Sequence, residues 1–257
     1  MNDYISYGKS FISNYFGLSK DLDYFNDLDL HKLNNLMNEE ISAYEYKAND
    51  SNKYFFIVEG YESNKELLEK YKGLKDFGYN LVFIGYTRQI VYGLKESLDL
   101  LVWLDYFIKR NKDIDIYLLG IKEGCNIITK SLKSAYPDNV KALILDNILV
   151  NPAEYYLKEY TLLNQINHPL LHRVVDYQLN KRFNISFVDM SNNNDLNNNR
   201  IPALFIFDKS RKEEEYKDVL RLYNNNPSFK NFFYSPGIND EKYLKSLDVF
   251  VKKLNSL

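Results

Sequence analysis

A strand, a tight turn and a helix are written into Asp115-Ile-Asp-Ile-Tyr-Leu-Leu-Gly-Ile-Lys-Glu-Gly-Cys-Asn-Ile-Ile128, and the rest of the chain has to fit around them. Ile116, Leu118 and Leu119 lie in a short apolar run that stops at Gly120. Gly120 and Gly124 bracket three residues, after which Ile127, Ile128 and Leu132 recur at helical spacing. A glycine on each side of a turn lets two backbones approach where a Cβ would clash.

The same alternation continues on both sides. Tyr54 to Val58, Leu81 to Ile84, Val140 to Leu145, Ala203 to Phe207 and Asn231 to Tyr234 are short β-rich runs of the kind buried in a parallel sheet. Helical patterns separate them. Ser63 to Glu66 is a capping box that opens a helix with Leu67, Leu68, Tyr71, Leu74 and Phe77 on one face, ended by Gly78. Leu94, Leu98, Leu101, Leu104 and Ile108 form the inward stripe of a long helix. Glu213 to Tyr223 is another helix, and Tyr243, Leu247, Phe250 and Leu254 share one side of the last. Strands and helices alternating in this way predict an α/β fold, a mostly parallel central sheet flanked by helices. Ile41 to Lys47 reads as an outer strand. Residues 1–40 read as an N-terminal extension of short helices, with Phe25, Leu28, Leu33 and Leu36 at loose helical spacing and His31 on the surface. Residues 147–200 break the rhythm: Pro152 opens a helix, Pro169 interrupts, and Ser191 to Asn199 is an asparagine-rich tract expected to be a solvated loop. That segment reads as a helical cap inserted before the next strand. No repeat or linker divides the 257 residues, so one domain is expected over 1–257.

Charge and composition narrow the functional classes. The net charge is −2 with no basic block, which argues against nucleic acid or an anionic membrane surface as partner. One cysteine, Cys125, excludes an intrachain disulfide and fits a reducing compartment. The first 21 residues lack the continuous apolar stretch of a signal peptide, and no apolar run is long enough to span a bilayer. A cytoplasmic protein is expected. The abundance of Asn, Lys, Tyr and Ile, including 23 tyrosines, follows an AT-rich codon bias.

Several segments resemble a known family. Glu59-Gly-Tyr-Glu-Ser-Asn-Lys-Glu-Leu67 is similar to the His-Gly-Tyr-Thr-Ser-Asn-Lys-Glu oxyanion loop of bacterial α/β-hydrolases of the serine aminopeptidase S33-like, esterase/lipase type. Leu98 to Tyr106 resembles the helix before their nucleophile elbow, and Gly120-Ile-Lys-Glu-Gly124 resembles the elbow, Gly-x-Ser-x-Gly. Val140 to Asp146 and Ile201 to Ile206 resemble the two strands that follow. The likeness covers roughly residues 40–255 and implies an α/β-hydrolase fold with a helical cap.

The chemistry that the resemblance implies is missing. The nucleophilic serine falls on Lys122, followed by Glu123. The acid falls at Arg211, with Asp208 close by but out of register. The histidine falls around Gly237-Ile238-Asn239, and no histidine occurs after His172. The histidine that opens the oxyanion motif is Glu59, followed by Gly60 and Tyr61, and Gly85 to Gln89 replaces the Arg-Gly-His-Gly loop. His168 and His172 are four apart, but Pro169 argues against a continuous helix through them and no carboxylate or cysteine is read beside them at ligand spacing, so neither a catalytic base nor a metal site is expected.

Lys122 has two readings: an amine made reactive at a helix N-terminus, or a replacement that pairs with Glu59 or Glu62 across the former site. Cys125 is expected in the core and inert, although a helix N-terminus lowers a thiol pKa. The reading that follows is a catalytically inactive hydrolase-like protein, binding a small ligand or protein partner at a site lined by Glu59, Glu62 and Lys122, without cofactor or metal. The alternative is an active serine hydrolase with a relocated site, at Ser63 or Ser97.

Overall fold

The computed structural model describes residues 2–15, 28–48, 50–59, 69–85, 91–235 and 241–254. Helix α1 (Asn2–Tyr15) precedes strands β1 (Asp29–Asn34), β2 (Glu40–Tyr46) and β3 (Lys53–Val58). A short 3-10 helix (Lys72–Phe77) leads to β4 (Asn80–Ile84) and α2 (Glu96–Arg110). Then come β5 (Asp115–Ile121), α3 (Glu123–Ser131), β6 (Val140–Asp146), α4 (Pro152–Leu163) and α5 (His168–Phe183). β7 (Ala203–Asp208), α6 (Glu213–Asn225), β8 (Lys230–Ser235) and α7 (Glu241–Leu254) complete the chain.

The eight strands form one sheet in the order β1-β2-β4-β3-β5-β6-β7-β8. β2 runs antiparallel to both neighbours, and the pairings from β4 to β8 are parallel. Side chains alternate between two layers, as a period of two requires. Phe56, Val58, Leu118 and Leu143 face α2 and α3, around Trp103. Phe55, Ile57, Tyr117 and Ile144 face Tyr71, Tyr243 and Leu247. Trp103 is fully buried, and its indole N–H donates to Gly85 O at 3.2 Å, so the ring brings no unsatisfied polar atom into the core. A third core lies apart from both. It joins Phe11 and Ile12 of α1 to Tyr156, Leu157, Tyr160, Leu171 and Val175 of α4 and α5.

Sequence spacing misjudged several elements. Residues 29–34 are a strand, where loose leucine spacing suggested helix; His31 and Leu33 face inward between exposed Lys32 and Asn34, a period of two. β1 therefore lies outside β2, which was expected to be the outer strand. His31 is not a surface residue. Its Nε2 lies 2.9 Å from Glu45 Oε2 and its Nδ1 3.2 Å from the Tyr106 hydroxyl. The buried stripe of α2 is Leu100, Trp103, Leu104 and Phe107, rotated by the two large rings away from Leu98, which is exposed. The capping box at 63–66 lies outside the described residues. Residues 72–77 wind as a 3-10 helix that leaves Phe77 exposed, ended by Gly78 at φ 87°. Pro169 opens α5 instead of interrupting a helix: it stands in the first turn, where a missing N–H breaks no bond, behind an Asn167 cap. The asparagine tract is partly core. Asn192 is fully buried, donating to Leu149 O at 2.9 Å and accepting from Thr129 at 2.8 Å, and Asn199 is buried with it.

Glu45 ties the sheet edge to α2. Buried, it also accepts from Tyr54 and from Arg110 Nη1, each at 3.2 Å. Burial alone would raise its carboxyl; the His31 hydrogen bond and the charges of Lys47 and Arg110 hold it below the usual range. A depressed folded pKa gives stability that is present above the unfolded pKa and lost as pH falls through the folded one. Glu45→Gln is therefore expected to cost about 2 kcal/mol at pH 7 and markedly less near pH 3. Urea unfolding at both pH values checks this; an equal loss at the two would refute it.

Candidate functional site

The site is built on the turn after β5. Lys122 joins β5 to α3 at φ 49° and ψ −111°, a conformation few non-glycine residues adopt and one that tends to mark functional turns. Its N–H donates to Asp146 O at 2.8 Å, and its carbonyl accepts from Cys125 N at 3.1 Å. The side chain of Lys122 is exposed and that of Glu123 is buried. Both glycines are needed for close approach. A Cβ on Gly120 would lie 2.7 Å from the Cys125 backbone, and one on Gly124 only 1.8 Å from Val58 O. That last contact puts the end of β3 against the turn, with the buried Glu59 beside Gly124. Gly60, Tyr61, Glu62 and Ser63 lie outside the described residues, as do Tyr86 to Gln89 of the replaced loop and Gly237, Ile238 and Asn239.

Cys125 is buried, and its thiol lies 3.1 Å from Gly120 O and 3.4 Å from Asp146 O. Burial, with Asp146 and Glu123 adding to it, pushes the thiol well above its ordinary pKa. This agrees with the expectation of an inert core thiol: desolvation outweighs the helix N-terminus.

At the end of β7, Arg211 holds the loop after β6. Its Nη1 donates to Asn147 O at 3.0 Å, its Nε pairs with Glu215 at 2.5 Å, and its guanidinium lies 5.7 Å from the rings of Tyr155 and Phe207. Asp208 accepts from Ser210 N at 2.8 Å, closing its own turn. Ser97 is buried in α2 and its hydroxyl points to Leu94 O at 3.5 Å. His31 is four strands from β5, roughly 19 Å across the sheet. His168 and His172 do share a helix, and a carboxylate does meet them: Glu154 of α4 lies 3.1 Å from His168 Nε2 and 3.2 Å from His172 Nε2. Sequence reasoning missed it because Glu154 comes from the preceding helix. Burial lowers the His168 pKa, with Glu154 opposing and His172 and Lys158 adding to the drop. Among the described residues no group of three or more His, Cys, Asp or Glu is arranged to hold a metal ion, and no helix is long and apolar enough to cross a membrane.

Two features escaped the sequence. Asp146, the last residue of β6, is a buried carboxyl beneath the turn that accepts from Tyr243, from Tyr71 at 3.4 Å and from Asn147 Nδ2 at 2.9 Å. Burial pushes it up to about 6 against the pull of the two tyrosines. Its signal was an acid closing the apolar run Val140 to Leu145. The second feature is a cleft of about 180 Å³ between α4 and α6, walled by Ile148, Tyr155, Lys158, Arg211, Glu215 and Val219. It opens at the carboxyl ends of β6 and β7, where open α/β sheets place their ligands.

Solved esterase and lipase structures superpose on this chain, which has the α/β-hydrolase fold. The esterase Pf2001 from Pyrococcus furiosus superposes with a TM-score of 0.66 at 16% identity, over 92% of this chain and 97% of its own. An esterase from Exiguobacterium antarcticum gives 0.58 at 15% identity, over 87% and 98%. Brefeldin A esterase, a bacterial homologue of human hormone-sensitive lipase, gives 0.61 at 12% identity, over 98% and 86%. The sequence matches no protein-family model and no curated protein.

Proposed function

We propose that this chain is a catalytically inactive member of the α/β-hydrolase fold that binds a small ligand or a protein partner, with residues 147–200 as a cap over a single domain. One observation carries the reading. The residue held at φ 49° between β5 and α3 is Lys122, so the turn presents an ammonium where acyl transfer needs a hydroxyl. The other roles are equally vacant. The loop after β7 offers the Arg211 guanidinium, already engaged, and the chain has no histidine beyond His172 to follow β8. Without a base, a serine restored at 122 has nothing to take its proton. Glu59 against Gly124 supports an acidic lining for the former site, in which Lys122 is one half of a charge pair and not a reactive amine.

The purified protein is expected to resist labelling by a fluorophosphonate and to leave short-chain nitrophenyl esters at background rate. Lys122→Ser is expected to change neither result. Stoichiometric labelling, or turnover that Lys122→Ala leaves intact, would instead establish a working serine elsewhere in the chain.

A further inference from the structure

The third core carries an arrangement that the former active site does not explain. Tyr15, at the end of α1, stacks on Tyr156 of α4 with centroids 5.3 Å apart and planes at 28°. Tyr156 stacks in turn on Tyr92, at 6.0 Å and 22°. Tyr160 meets Tyr15 edge-on at 6.4 Å, and Phe11 lies 4.9 Å from it. Tyr92, Tyr156 and Tyr160 are buried, whereas Tyr15 is half-buried and forms the outer wall.

The platform is fixed before anything binds. Tyr92 has φ 52°, a strained conformation for a tyrosine, in a loop whose Val91 and Gly93 N–H groups donate to the buried Glu96 carboxylate at 2.7 and 3.0 Å. The platform also holds an unmet polar demand: the Tyr156 hydroxyl is buried without a hydrogen-bond partner. A buried hydroxyl left without a partner loses its hydration with nothing in return.

We propose that this aromatic box is a binding site for a planar aromatic molecule bearing one polar oxygen, and that Tyr15 is its built-in occupant. The entering ring stacks on Tyr156 where Tyr15 now lies, its oxygen meets the Tyr156 hydroxyl, and the end of α1 shifts outward. Tyr15 then acts as a tethered competitor. Apparent affinity is the intrinsic affinity multiplied by the fraction of molecules in which Tyr15 has left the site, so removing its ring or fixing its helix moves affinity in opposite directions. This site is separate from the turn at Lys122 and does not depend on whether that turn is inactive.

The test uses 2-naphthol, a fluorescent planar phenol with one oxygen and no ester bond for a serine to cleave, followed by fluorescence and calorimetry on the full chain. Saturable binding is expected, tightening at least tenfold in Tyr15→Ala. A Cβ on Gly8 would lie 2.9 Å from Val174 Cγ1 of α5, so cysteines at 8 and 174 are placed to bridge, and Cys125 is buried out of the way. The oxidised Gly8→Cys, Val174→Cys protein is expected to lose binding and to regain it on reduction. Absence of saturable binding to the unaltered protein, affinity unchanged in Tyr15→Ala, or equal binding with the bridge closed and open would each overturn the proposal. Circular dichroism on every variant separates loss of binding from loss of fold.

Discussion

Gly124→Ala is expected to lower stability by at least about 3 kcal/mol, near the top of what one methyl group does. The methyl would lie 1.8 Å from Val58 O and 2.6 Å from Val58 C, both backbone atoms of a strand buried in the sheet. Neither the strand nor α3 can retreat alone, because β3 is hydrogen-bonded on both sides to β4 and β5. For a chain of this size the loss corresponds to a fall in Tm of roughly 6–12 °C. Gly73→Ala is the matched control. Among the described residues its methyl would meet only the Leu244 Cδ1 atom, at 2.7 Å, and a side-chain end rotates away at little cost. A Gly124→Ala melt within 2 °C of the parent would mean that β3 and α3 do not approach in this way.

Asp146→Asn should change the pH dependence of folding more than its stability at any one acid pH. The folded-state pKa of Asp146 is raised from 3.8 to about 6, so the native state holds this proton more tightly than the unfolded chain does. Stability then falls as pH rises from about 4 to about 6, and the full penalty, on the order of 3 kcal/mol, persists above that. An asparagine carries no such penalty, and its amide oxygen still accepts from Tyr243. The variant is expected to be more stable than the parent at pH 7.5 and equal or weaker at pH 4. Denaturant titrations of both proteins across this window read the difference directly; parallel curves would show that Asp146 is solvated in the native state.

The central part of the fold was legible because parallel strands buried on both faces are unbroken apolar runs, and such runs need no partner to be recognised. β3, β5, β6 and β7 fall where Phe56, Leu118, Leu143 and Phe205 stand in those runs. The turn was legible for a similar reason, since a glycine needed for close approach announces itself in one dimension. What failed depended on distant residues. β1 is half-exposed and is stabilised by Glu45 and Tyr106, neither of which its own composition reveals. Asn192 and Asn199 are buried by partners on other elements, so a polar tract looked solvated. Pro169 was read as a breaker because its place relative to the helix start decides its effect, and the Asn167 cap fixes that start. The Asp146 carboxyl was visible in the strand, but its two tyrosines lie 75 and 97 residues away.

The third core also imposes a timetable on synthesis. α1 leaves the ribosome early, yet the helix against which it packs ends at Phe183. At translation rates of 5–20 residues per second, Phe11 and Ile12 wait about 10–30 s for their partners. Through that interval a nascent amphipathic segment trails with its oily side uncovered, so chaperone capture of the newborn chain is expected to centre on α1.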